Sequence, residues 1–555
     1  MKSKKRYVYI GPAWPYANGD LHLGHAAGLI GADVLARYHR LNGDAVLMTS
    51  GSDCHGTPIA VKAQEQGVEP SVIADKYHER IVETLVKGLD FSYDNYTKTT
   101  TDSHYKLVQE LFTKIYEKGH IYKKTDSLPY CEKCDRFLPD RFIEGECPTC
   151  HFKNARGDQC EECGNLMEAD KLIDSKCNVC GEAPIWKDSE HFYLKLTDFT
   201  ERLKDLAKNS EHWRPNAKNF TLGMLNEGLK DRAITRDTDW GVPIPLDGYD
   251  DKRIYVWFEA VSGYYTASRE WADNKGEPDA WKPFWENEEA LHYYVHGKDN
   301  IPFHSIIWPS ILMGYGGLKL PDRIISSDYL GLEGKQFSKS RNWAVSLEDF
   351  LNDFPSDTLR YYLFINGPET GDSDFSWGDF QNRVNGELIG NFGNLVHRTL
   401  SFGKSKFDGK LSIAADISKK GEAILKQAED TFVSAEESIL AGRFREAIKI
   451  VFQLVEEANR FLAKAEPWKT IKTDKDRAET DLAISAHLVK CLASLINPFM
   501  PASSKKIADS INLKQEELKW EYPEISEIEI GEIEPLFSRV EDETVEEQKA
   551  KLGKE

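Results

Sequence analysis

Strand-like and helix-like segments alternate along the first part of the chain. The run RYVYIG (6–11) predicts a buried strand, a Pro/Gly loop and an apolar helical stretch follow, and AVLMTSG (45–51) predicts a second strand. Strand signals return at RIYVWFEAV (253–261) and HYYVHG (292–297), followed by IIWPSILM and IISSDYL. Strand, loop and helix in this order are typical of a parallel α/β sheet. The sequence therefore predicts one such sheet, split in the chain by an insertion.

The rest of the chain has two other textures. From about 120 to 188 the segments are short, Cys-rich and turn-rich, and they cannot build a large core. Beyond about 385, apolar residues recur every three or four positions in GELIGNFGNLVHRTL, GRFREAIKIVFQLVEEANRFLAKA and DLAISAHLVKCLASLI. That spacing predicts amphipathic helices and hence a helix bundle. An acidic tail follows, with Pro523, Gly531 and Pro535 as breakers.

Composition limits the class of protein. The 555 residues are too many for one core, and 40% hydrophobic with 29% charged residues is typical of a soluble globular protein. No run of 18 apolar residues exists, and the stretch YVYIGPAWPY after the basic start is broken by Gly and Pro. We therefore expect neither a membrane span nor a signal peptide, and a cytoplasmic location.

The net charge of −20 does not favour a nucleic-acid partner, because phosphate binding requires a basic surface. Residues 514–555, however, carry fourteen Asp/Glu against six Lys/Arg, so this tail supplies −8 of the total. The remaining −12 is spread over more than 500 residues and leaves room for a local basic track. Charge alone therefore decides nothing about nucleic acid.

Eight of the ten cysteines form four CxxC pairs: Cys131/Cys134, Cys147/Cys150, Cys160/Cys163 and Cys177/Cys180. Each pair can present two thiolates to one tetrahedral ion, and four thiolates complete a zinc site. The pattern predicts two structural Zn²⁺ sites, since full coordination by Cys leaves no position for an activated water. Disulfides and redox CxxC motifs are the alternatives, but a cytosolic chain keeps thiols reduced and a redox CxxC occurs singly. Cys54 and Cys491 stand alone and are expected to be buried as small hydrophobes.

His22 and His25, in PAWPYANGDLHLGHAAG, have a spacing that puts both imidazoles on one face of a helix. The preceding Asn18-Gly19 turn and Asp20 predict that the helix begins here. Backbone N–H groups and the helix dipole favour phosphate at such a start, and two imidazoles would add donors. Taken alone, the pair fits a metal site or simple capping equally well.

A second candidate element is the glycine-bounded loop GLEGKQFSKSRN at 331–342. Lys335, Lys339 and Arg341 fall within seven residues, beside two serine hydroxyls. A mobile loop with such groups suits charge that develops on a transferring phosphoryl group. A solvated basic loop is the alternative, but the pairing with an HxGH helix start about 310 residues earlier is a rare combination.

These two elements resemble the signatures of class I aminoacyl-tRNA synthetases, and nearly the whole chain is similar to the methionyl-tRNA synthetase family. HLGH at 22–25 matches the family's HIGH, and QFSKS at 336–340 matches KMSKS with departures at its first two positions. Lys335, one residue earlier, is available to replace the missing first Lys. The resemblance implies ATP-dependent ligation of L-methionine to tRNA(Met) through a methionyl-adenylate. The implied partners are ATP, L-methionine and tRNA(Met), with Mg²⁺ accompanying ATP.

The resemblance also implies which residues form the site. The expected catalytic residues are His22, His25 and Lys339. The expected ATP-binding residues are His22, Gly24, His25, Lys298, Asp299 and Lys339. The expected methionine-binding residues are Ala13, Trp14, Tyr16, Asp53, Arg236, Trp257, Ala260, Val261, Tyr264, Asn300 and His304. The Asp53 carboxylate suits the substrate ammonium, and aromatic walls suit a thioether, since each sulfur–aromatic contact contributes about 0.3–1.5 kcal/mol. Ordinary core is the alternative for any one of these aromatics.

Within the helical region, GNFGNLVHR and AKAEPWK resemble the family's anticodon-reading elements, and the matching residues are Asn394, Arg398 and Trp468. Asn and Arg offer hydrogen bonds to base edges and Trp offers a stacking surface, as single-stranded RNA requires. Trp468 fits helix-end packing equally well. The family's nested arrangement further implies that the inner Cys pairs (147/150 with 160/163) share one zinc and the outer pairs share the other.

Together these features predict an α/β fold: a Rossmann-like parallel-sheet catalytic domain split by a zinc-knuckle insertion and followed by an α-helical anticodon-binding bundle. We expect the catalytic halves at 1–118 and 235–325, the connective insertion at 119–234, the QFSKS loop and stem-contact region at 326–385, the anticodon-binding domain at 386–515 and the acidic tail at 516–555. Many relatives continue into a tRNA-binding, dimerising domain, whereas EDETVEEQKAKLGKE looks like a linker with nothing after it. A monomer is therefore expected.

Two other functions stay open. Synthetases for leucine, isoleucine and valine carry a large editing insertion, for which about 115 residues of mostly zinc knuckles leave little room. A cysteine enzyme would place thiolates at its substrate, yet the first 50 residues contain no Cys. The other alternative is a non-catalytic tRNA-binding scaffold descended from a synthetase. The presence of His22, His25, Asp53 and Lys339 argues against it.

Overall fold

The computed structural model describes residues 5–157, 160, 162, 169–338 and 342–553, without the side chain of Asp140. Strands and helices alternate in the first segment. They are β1 (Tyr7–Pro12), α1 (Leu23–Leu41), β2 (Ala45–Ser52), α2 (Thr57–Gln66), α3 (Pro70–Ile81), a π-helical turn (Val82–Gly88), β3 (Asn95–Lys98) and α4 (Asp102–Glu117).

The described residues of the insertion form two long strands, several short strands and two helices. They are β4 (Ile121–Cys131), β5 (Arg136–Phe137), β6 (Ile143–Glu146), β7 (Ala155–Arg156), β8 (Ile173–Cys177), β9 (Ile185–Leu194), α5 (Thr200–Asn209), α6 (Pro215–Glu227) and β10 (Arg232–Ala233). β4 and β9 form a long antiparallel pair whose register runs from Ile121↔Leu194 to Tyr130↔Ile185. Cys131 ends β4, and the other described cysteines of the CxxC pairs follow it in the chain before β9 begins.

The sheet resumes after the insertion. The elements are β11 (Thr235–Asp237), β12 (Val242–Pro243), β13 (Lys252–Ile254), α7 (Val256–Asn274), α8 (Lys282–Trp285), β14 (Leu291–Gly297), a π-helical turn (Phe303–Ile307), α9 (Trp308–Tyr315) and β15 (Arg323–Ser327). A small mixed region follows with β16 (Leu330–Leu332), β17 (Lys335–Gln336), α10 (Leu347–Asp353), α11 (Ser356–Asn366), β18 (Ser373–Phe375) and α12 (Trp377–Arg383).

The last part is helical. It contains a π-helical stretch (Val384–Gly393), α13 (Asn394–Lys406), β19 (Lys410–Leu411), α14 (Lys419–Leu440), α15 (Phe444–Ala465), α16 (Pro467–Thr470), α17 (Lys475–Ile496), α18 (Pro501–Ser510), β20 (Ile528–Glu529) and α19 (Asp542–Lys551). Short 3₁₀ turns lie at Asp140–Phe142, Ala169–Lys171, Leu196–Phe199, Lys298–Asn300 and Gln515–Glu517. None of the described helices combines the length and apolar character that crossing a bilayer requires.

Five parallel strands form the central sheet in the order β15-β14-β1-β2-β3. Val8 of β1 lies opposite Val46 on one side and Leu291 on the other. The strands before the insertion extend the sheet in one direction from β1, and those after it extend the sheet in the other. This arrangement confirms the predicted parallel sheet interrupted by an insertion. The strand order reverses between β1 and β14, and open α/β sheets bind ligands at the carboxyl ends of such strands.

Two apolar runs that predicted strands are helices instead. Of 253–261, only the first two residues belong to β13, and α7 begins at Val256. The run 306–313 is helical as part of the π-turn and α9, in which every residue of α9 is buried. A helix buried on all sides loses its polar face, so periodicity cannot distinguish it from a buried strand.

The charged run 541–555, which the sequence indicated to be a linker, contains α19, and this helix packs on α12. The part of the acidic tail before it also packs on the rest of the protein. Trp520 packs edge-on against Tyr38 of α1 at 5.1 Å, and its backbone N–H donates to Leu41 O. β20 pairs with β19, and the Gly553 N–H beyond α19 donates to Asn342 O at 2.9 Å. Scattered apolar residues among many acidic ones are buried here, and they lack the periodicity that would have indicated packing.

One buried ion pair connects the sheet to the bundle. Arg360 of α11 is fully buried and donates to Asp33 Oδ2 of α1 at 2.7 Å, and also to the carbonyls of Leu89, Pro498 and Phe499. Asp33, also fully buried, accepts from Arg37 and from the backbone N–H and hydroxyl of Ser92. Burial alone would raise the pKa of Asp33, but Arg37, Arg360 and Ser92 hold it well below its usual value. These contacts orient α1 relative to the loop before α18.

We expect Asp33→Asn to reduce stability by about 3–5 kcal/mol, since it leaves two guanidinium groups without their buried carboxylate. Urea unfolding at pH 7 measures the loss. The difference in unfolding free energy between parent and variant should narrow as pH falls below about 4. A carboxyl whose pKa is lowered by folding contributes its full stabilisation only above its unfolded pKa, and the contribution is lost as pH falls towards the folded pKa. Glu457→Gln, which removes the exposed carboxylate paired with Arg460 on α15, should change stability by less than about 1 kcal/mol. Equal losses in both variants would contradict the assignment.

Candidate active site

The helix start at HLGH is built by the two histidines themselves. His22 is the N-cap of α1, with φ −121° and ψ 173°, and its Nδ1 accepts from Gly24 N–H at 3.1 Å. In return the His22 N–H donates to His25 Nδ1 at 3.1 Å. Capping, rather than Asp20 or a metal, therefore explains the spacing. Because Nδ1 is the acceptor in both neutral rings, the proton of each lies on Nε2.

The base of the QFSKS loop rests on this helix start. Phe337 stacks on His22 with ring centroids 4.6 Å apart and planes 8° from parallel. Leu23 N–H donates to Val345 O, and Leu347 N–H donates to Leu21 O, so the chain after the loop pairs with the chain before α1. Lys339, Ser340 and Arg341 lie outside the described residues. The Lys335 ammonium lies 4.0 Å above the Trp343 ring, where that aromatic face holds it.

The predicted methionine residues meet at the carboxyl ends of β1, β2 and β14. Trp14 lies between Gly51 of β2 and Gly263 of α7, and its ring meets Tyr264 edge-on at 6.4 Å. The Tyr264 hydroxyl donates to His304 Nε2 at 2.7 Å, and His304 Nδ1–H donates to Asn300 O at 2.7 Å. Burial lowers the pKa of His304 to about 4, so the imidazole is neutral at pH 7. Side-chain or backbone contacts thus join Trp14, Tyr264, His304 and Asn300.

The other predicted pocket residues border this cluster. Ala13 N–H donates to Val295 O of β14, and Tyr16 pairs through its backbone with Asp53. Trp257, one turn before Ala260 and Val261 on α7, packs edge-on against Phe303 at 4.7 Å. Arg236 lies further out, with its guanidinium 3.7 Å from the ring centroid of Tyr255, which contacts Trp257.

The nucleotide-side candidates are held in an acidic surround. Lys298 Nζ lies 2.7 Å from Asp372 and 3.6 Å from Asp328, and the Tyr329 hydroxyl donates to Asp299. An added Cβ at Gly24 would lie 3.0 Å from the His22 ring, so a larger residue there would press on the capping imidazole.

Sequence reasoning missed a buried polar cluster beneath Asp53. Glu259 of α7 is fully buried and contacts His55 Nδ1 at 3.0 Å and His104 Nε2 at 2.7 Å. Asp53 is 4% exposed and accepts from the His55 N–H at 3.2 Å. Burial and then the Glu259 charge raise the pKa of Asp53, whereas His55 and His104 lower the pKa of Glu259 despite its burial. A lone acid within the apolar run RIYVWFEAV was the available signal.

His296 was also missed. It is fully buried at the end of β14 and stacks on His304 with centroids 4.2 Å apart. Burial, His304 and Arg214 hold its pKa well below the usual value, so it is a second neutral imidazole at the pocket.

The cysteine pairs group as the nested arrangement implied. Cys131, Cys134, Cys177 and Cys180 place their sulfurs within 4.8 Å of one another, and so do Cys147, Cys150 and Cys160. Cys163 lies outside the described residues. Sulfur–sulfur distances of 3.4–3.9 Å exclude disulfides and match the separation of about 3.8 Å that four thiolates have at about 2.3 Å from one tetrahedral zinc. The described cysteines fit a metal, whereas Cys54 and Cys491 are buried alone.

The three anticodon candidates share one face of the bundle. The Arg398 guanidinium lies 5.1 Å from the ring centroid of Trp468, and Asn394 is exposed one turn earlier on α13. Both Arg398 and Trp468 line a surface cavity of about 620 Å³ together with His397, Phe402 and Pro467. Trp468 is half-buried: it packs against the core of the bundle and also borders this cavity.

Known proteins resemble the chain over its whole length. Residues 8–400 match the family "tRNA synthetases class I (M)", and residues 413–555 match "Anticodon binding domain of methionyl tRNA ligase". The methionine–tRNA ligase of Dehalococcoides mccartyi (strain CBDB1) is 46% identical over 551 residues, covering 98% of this chain and 99% of that protein. The methionine–tRNA ligase of Bacillus cereus (strain 03BB102) is 44% identical with the same coverage. The Mycobacterium tuberculosis methionyl-tRNA synthetase solved with methionyl-adenylate shares the fold, with a TM-score of 0.80 over 96% of this chain and all of that chain at 24% identity.

We expect Gly263→Ala to displace Trp14 and to cost about 1–3 kcal/mol through overpacking, since the added Cβ would lie 2.6 Å from the indole. Thermal unfolding and near-UV circular dichroism report the two effects. Gly223→Ala in α6 is the matched control, because its Cβ meets nothing within 4 Å and a helical Gly→Ala change stabilises by up to about 1 kcal/mol. An unchanged melting temperature in Gly263→Ala would show that the packing of Trp14 against Gly263 is looser than the structure indicates.

Proposed function

The chain belongs to the class I tRNA synthetases, in the methionine–tRNA ligase family, and from this premise we propose that it ligates L-methionine to tRNA(Met) at the expense of ATP. The reaction passes through a methionyl-adenylate. The observation that carries the proposal is the junction at the start of α1. There His22 and His25, which cap the helix, meet the base of the QFSKS loop, and the Trp14–Tyr264–His304 cluster lies in the same catalytic domain.

The amino acid binds between Asp53 and α7. The substrate ammonium is held by the Asp53 carboxylate. Its positive charge lowers the raised pKa of Asp53, since an opposite charge favours the ionised form. The thioether lies against Trp14, Trp257, Ala260, Val261 and Tyr264, with Ala13, Tyr16, Asn300 and His304 completing the pocket and Arg236 at its rim. Neutral His304 keeps this pocket uncharged, which suits an uncharged, polarizable side chain.

The first step needs no protein nucleophile, because the methionine carboxylate itself attacks the α-phosphate of ATP and pyrophosphate leaves. The residues that bind ATP are His22, Gly24, His25, Lys298, Asp299 and Lys339. Donors at a helix N-terminus support phosphates in place, and Lys339 approaches with its loop to match the charge of the transition state. Mg²⁺ bound to ATP would supply positive charge against the phosphates. A ribose hydroxyl of the terminal adenosine of tRNA then attacks the methionyl carbonyl carbon of the adenylate, and AMP leaves.

The two cysteine clusters each bind one structural Zn²⁺, with Cys163 as the fourth ligand of the inner cluster. Their support is the sulfur geometry of the described thiols and the absence of a large apolar core in that region. Zinc then replaces hydrophobic burial as the source of stability for the knuckles.

The bundle reads the anticodon through Asn394, Arg398 and Trp468, with the domains divided at 118, 234, 325, 385 and 515. The division at 515 is approximate, because the terminal segment packs on both α1 and α12. The protein acts as a cytoplasmic monomer.

Purified protein should catalyse ATP–pyrophosphate exchange that depends on methionine and on no other amino acid. Lys339→Ala should lower the exchange rate by about 100-fold or more with little change in methionine affinity, since the lysine acts on the phosphate charge that develops in the transition state and not on the amino acid. Lys335→Ala is the control, and its rate should fall by less than about 10-fold because Trp343 holds that side chain. Exchange near the parent rate in Lys339→Ala removes that residue from the site, and no exchange with methionine in the parent overturns the function.

Purified protein should contain two zinc ions per chain. Cys131→Ser and Cys147→Ser should each lower the content to about one, because each removes one thiolate from a different set of four. Metal analysis by mass spectrometry measures this, with Cys491→Ser as the control that retains two. A content of two in Cys131→Ser would contradict the outer site.

A further inference from the structure

A continuous chain of buried hydrogen bonds runs beneath the pocket. The Tyr105 hydroxyl contacts His55 Nε2 at 3.0 Å, His55 and His104 contact the two oxygens of Glu259, and His104 Nδ1 contacts the Thr266 hydroxyl at 2.8 Å. Both carboxylate oxygens of Glu259 and both nitrogens of each imidazole are therefore engaged. We refer to these five side chains as the Glu259 chain.

The Glu259 chain ties three elements together. His55 belongs to the loop that follows β2, only two residues after Asp53, and its backbone N–H donates to Asp53. His104 and Tyr105 belong to α4. Glu259 and Thr266 belong to α7, the helix that carries the aromatic and small residues of the pocket wall. The chain thus connects the Asp53 loop to the wall helix.

Packing alone does not account for a carboxylate here. Burying an ion is costly, and an apolar core of the same volume stabilises a fold at least as well. A fully satisfied polar network, in contrast, specifies one geometry, because each hydrogen bond constrains the distance and orientation of the two groups that form it. The Glu259 chain lies between the Asp53 loop and α7, the two parts of the site that would hold the ammonium and the side chain of the amino acid. A fixed spacing of these two parts is what the substrate requires.

We propose that Glu259 is a positioning residue for the amino acid: it sets the distance between the Asp53 carboxylate and the wall of α7, and its charge opposes that of Asp53 until a substrate ammonium arrives. This inference rests on the proposed function. Burial already disfavours ionisation of Asp53, and the Glu259 charge disfavours it further. A bound ammonium favours the ionised carboxylate and so opposes both effects.

The titratable groups around Asp53 and the Glu259 chain come from several elements. They are Tyr16, Cys54, His55, His104, Tyr105 and Glu259, with Tyr255 near Tyr16, Asp75 near Cys54 and Asp102 near Tyr105. The cations nearest to this set are Lys98 near Cys54, Arg141 near Tyr16 and Arg253 near Tyr105. Of these groups, Glu259 is the one whose charge raises the pKa of Asp53. Because the ammonium requires ionised Asp53, kcat/KM for methionine should rise with pH through that raised pKa.

The test is Glu259→Gln in the methionine-dependent exchange reaction. We expect the KM for methionine to rise by about 10-fold or more, with kcat and the KM for ATP changed by less than about 3-fold. The acid limb of the kcat/KM profile for methionine should move to lower pH, since the charge that opposed Asp53 is gone. Glu259→Asp keeps the charge and should return the acid limb to its parental position.

Glu270→Gln is the matched control. It removes a carboxylate from the same helix about 16 Å further along, where the group contacts Asn95, and should leave all parameters unchanged. If Glu259→Gln does not fold, Glu259→Asp and Tyr105→Phe carry the test. Tyr105→Phe should then raise the KM for methionine by about 2–5-fold without moving the acid limb.

Two results would overturn the proposal: an acid limb that stays in place in Glu259→Gln, or a loss of kcat with an unchanged KM for methionine. If Glu259→Gln does not fold, the proposal is overturned by an acid limb that is displaced in Glu259→Asp or by an unchanged KM for methionine in Tyr105→Phe. These failures differ from failure of the proposed function. In that case the parent protein itself would show no methionine-dependent exchange.

Discussion

The contact between Asp33 and Arg360 is the constraint on which the arrangement of this molecule depends. α1 begins at the histidine cap and continues into the shared core, so anything that orients α1 also orients the site. The buried guanidinium joins that helix to three backbone carbonyls of other elements, two of them in the helical bundle. Phe444, the first residue of α15, packs on Gly31 of the same helix, and Trp468 lies just past the other end of α15. A rigid path of packed helices therefore runs between the two candidate sites.

Several polar groups at the site are held by more than one partner, and this fixes their geometry. His22 and His25 cap one helix reciprocally, which sets their tautomers. His304 is held by Asn300 and Tyr264, which keeps it neutral, and Glu259 is held by two imidazoles, which keeps it ionised. The two neighbouring carboxyl groups Asp53 and Glu259 thus have pKa values shifted in opposite directions, because their partners differ although both are buried.

Much of the fold followed from local pattern. The alternation of strands and helices predicted the parallel sheet, the CxxC spacing predicted the clusters that the described thiols form, and the periodicity after 385 predicted the bundle. The failures concern burial that local pattern does not show. Most residues of the runs 253–261 and 306–313 are buried, and such runs carry no clear period. Segment 516–555 is acidic by composition, yet Trp520 and its apolar neighbours are buried because α1, α12 and β19 cover them.

The sequence by itself determined the chemistry that is available: two histidines at a helix start, a lysine loop, paired thiols, and aromatic residues in the order that the family uses. Tertiary structure decided which of these groups meet and in what state. Only the fold brings Phe337 onto His22, stacks His296 on His304 and joins Glu259 to His55 and His104 across some 150–200 residues of chain. Spacing along a chain determines neighbours within one helix or knuckle, whereas burial and long-range contacts, which set pKa values, exist only once the elements have packed.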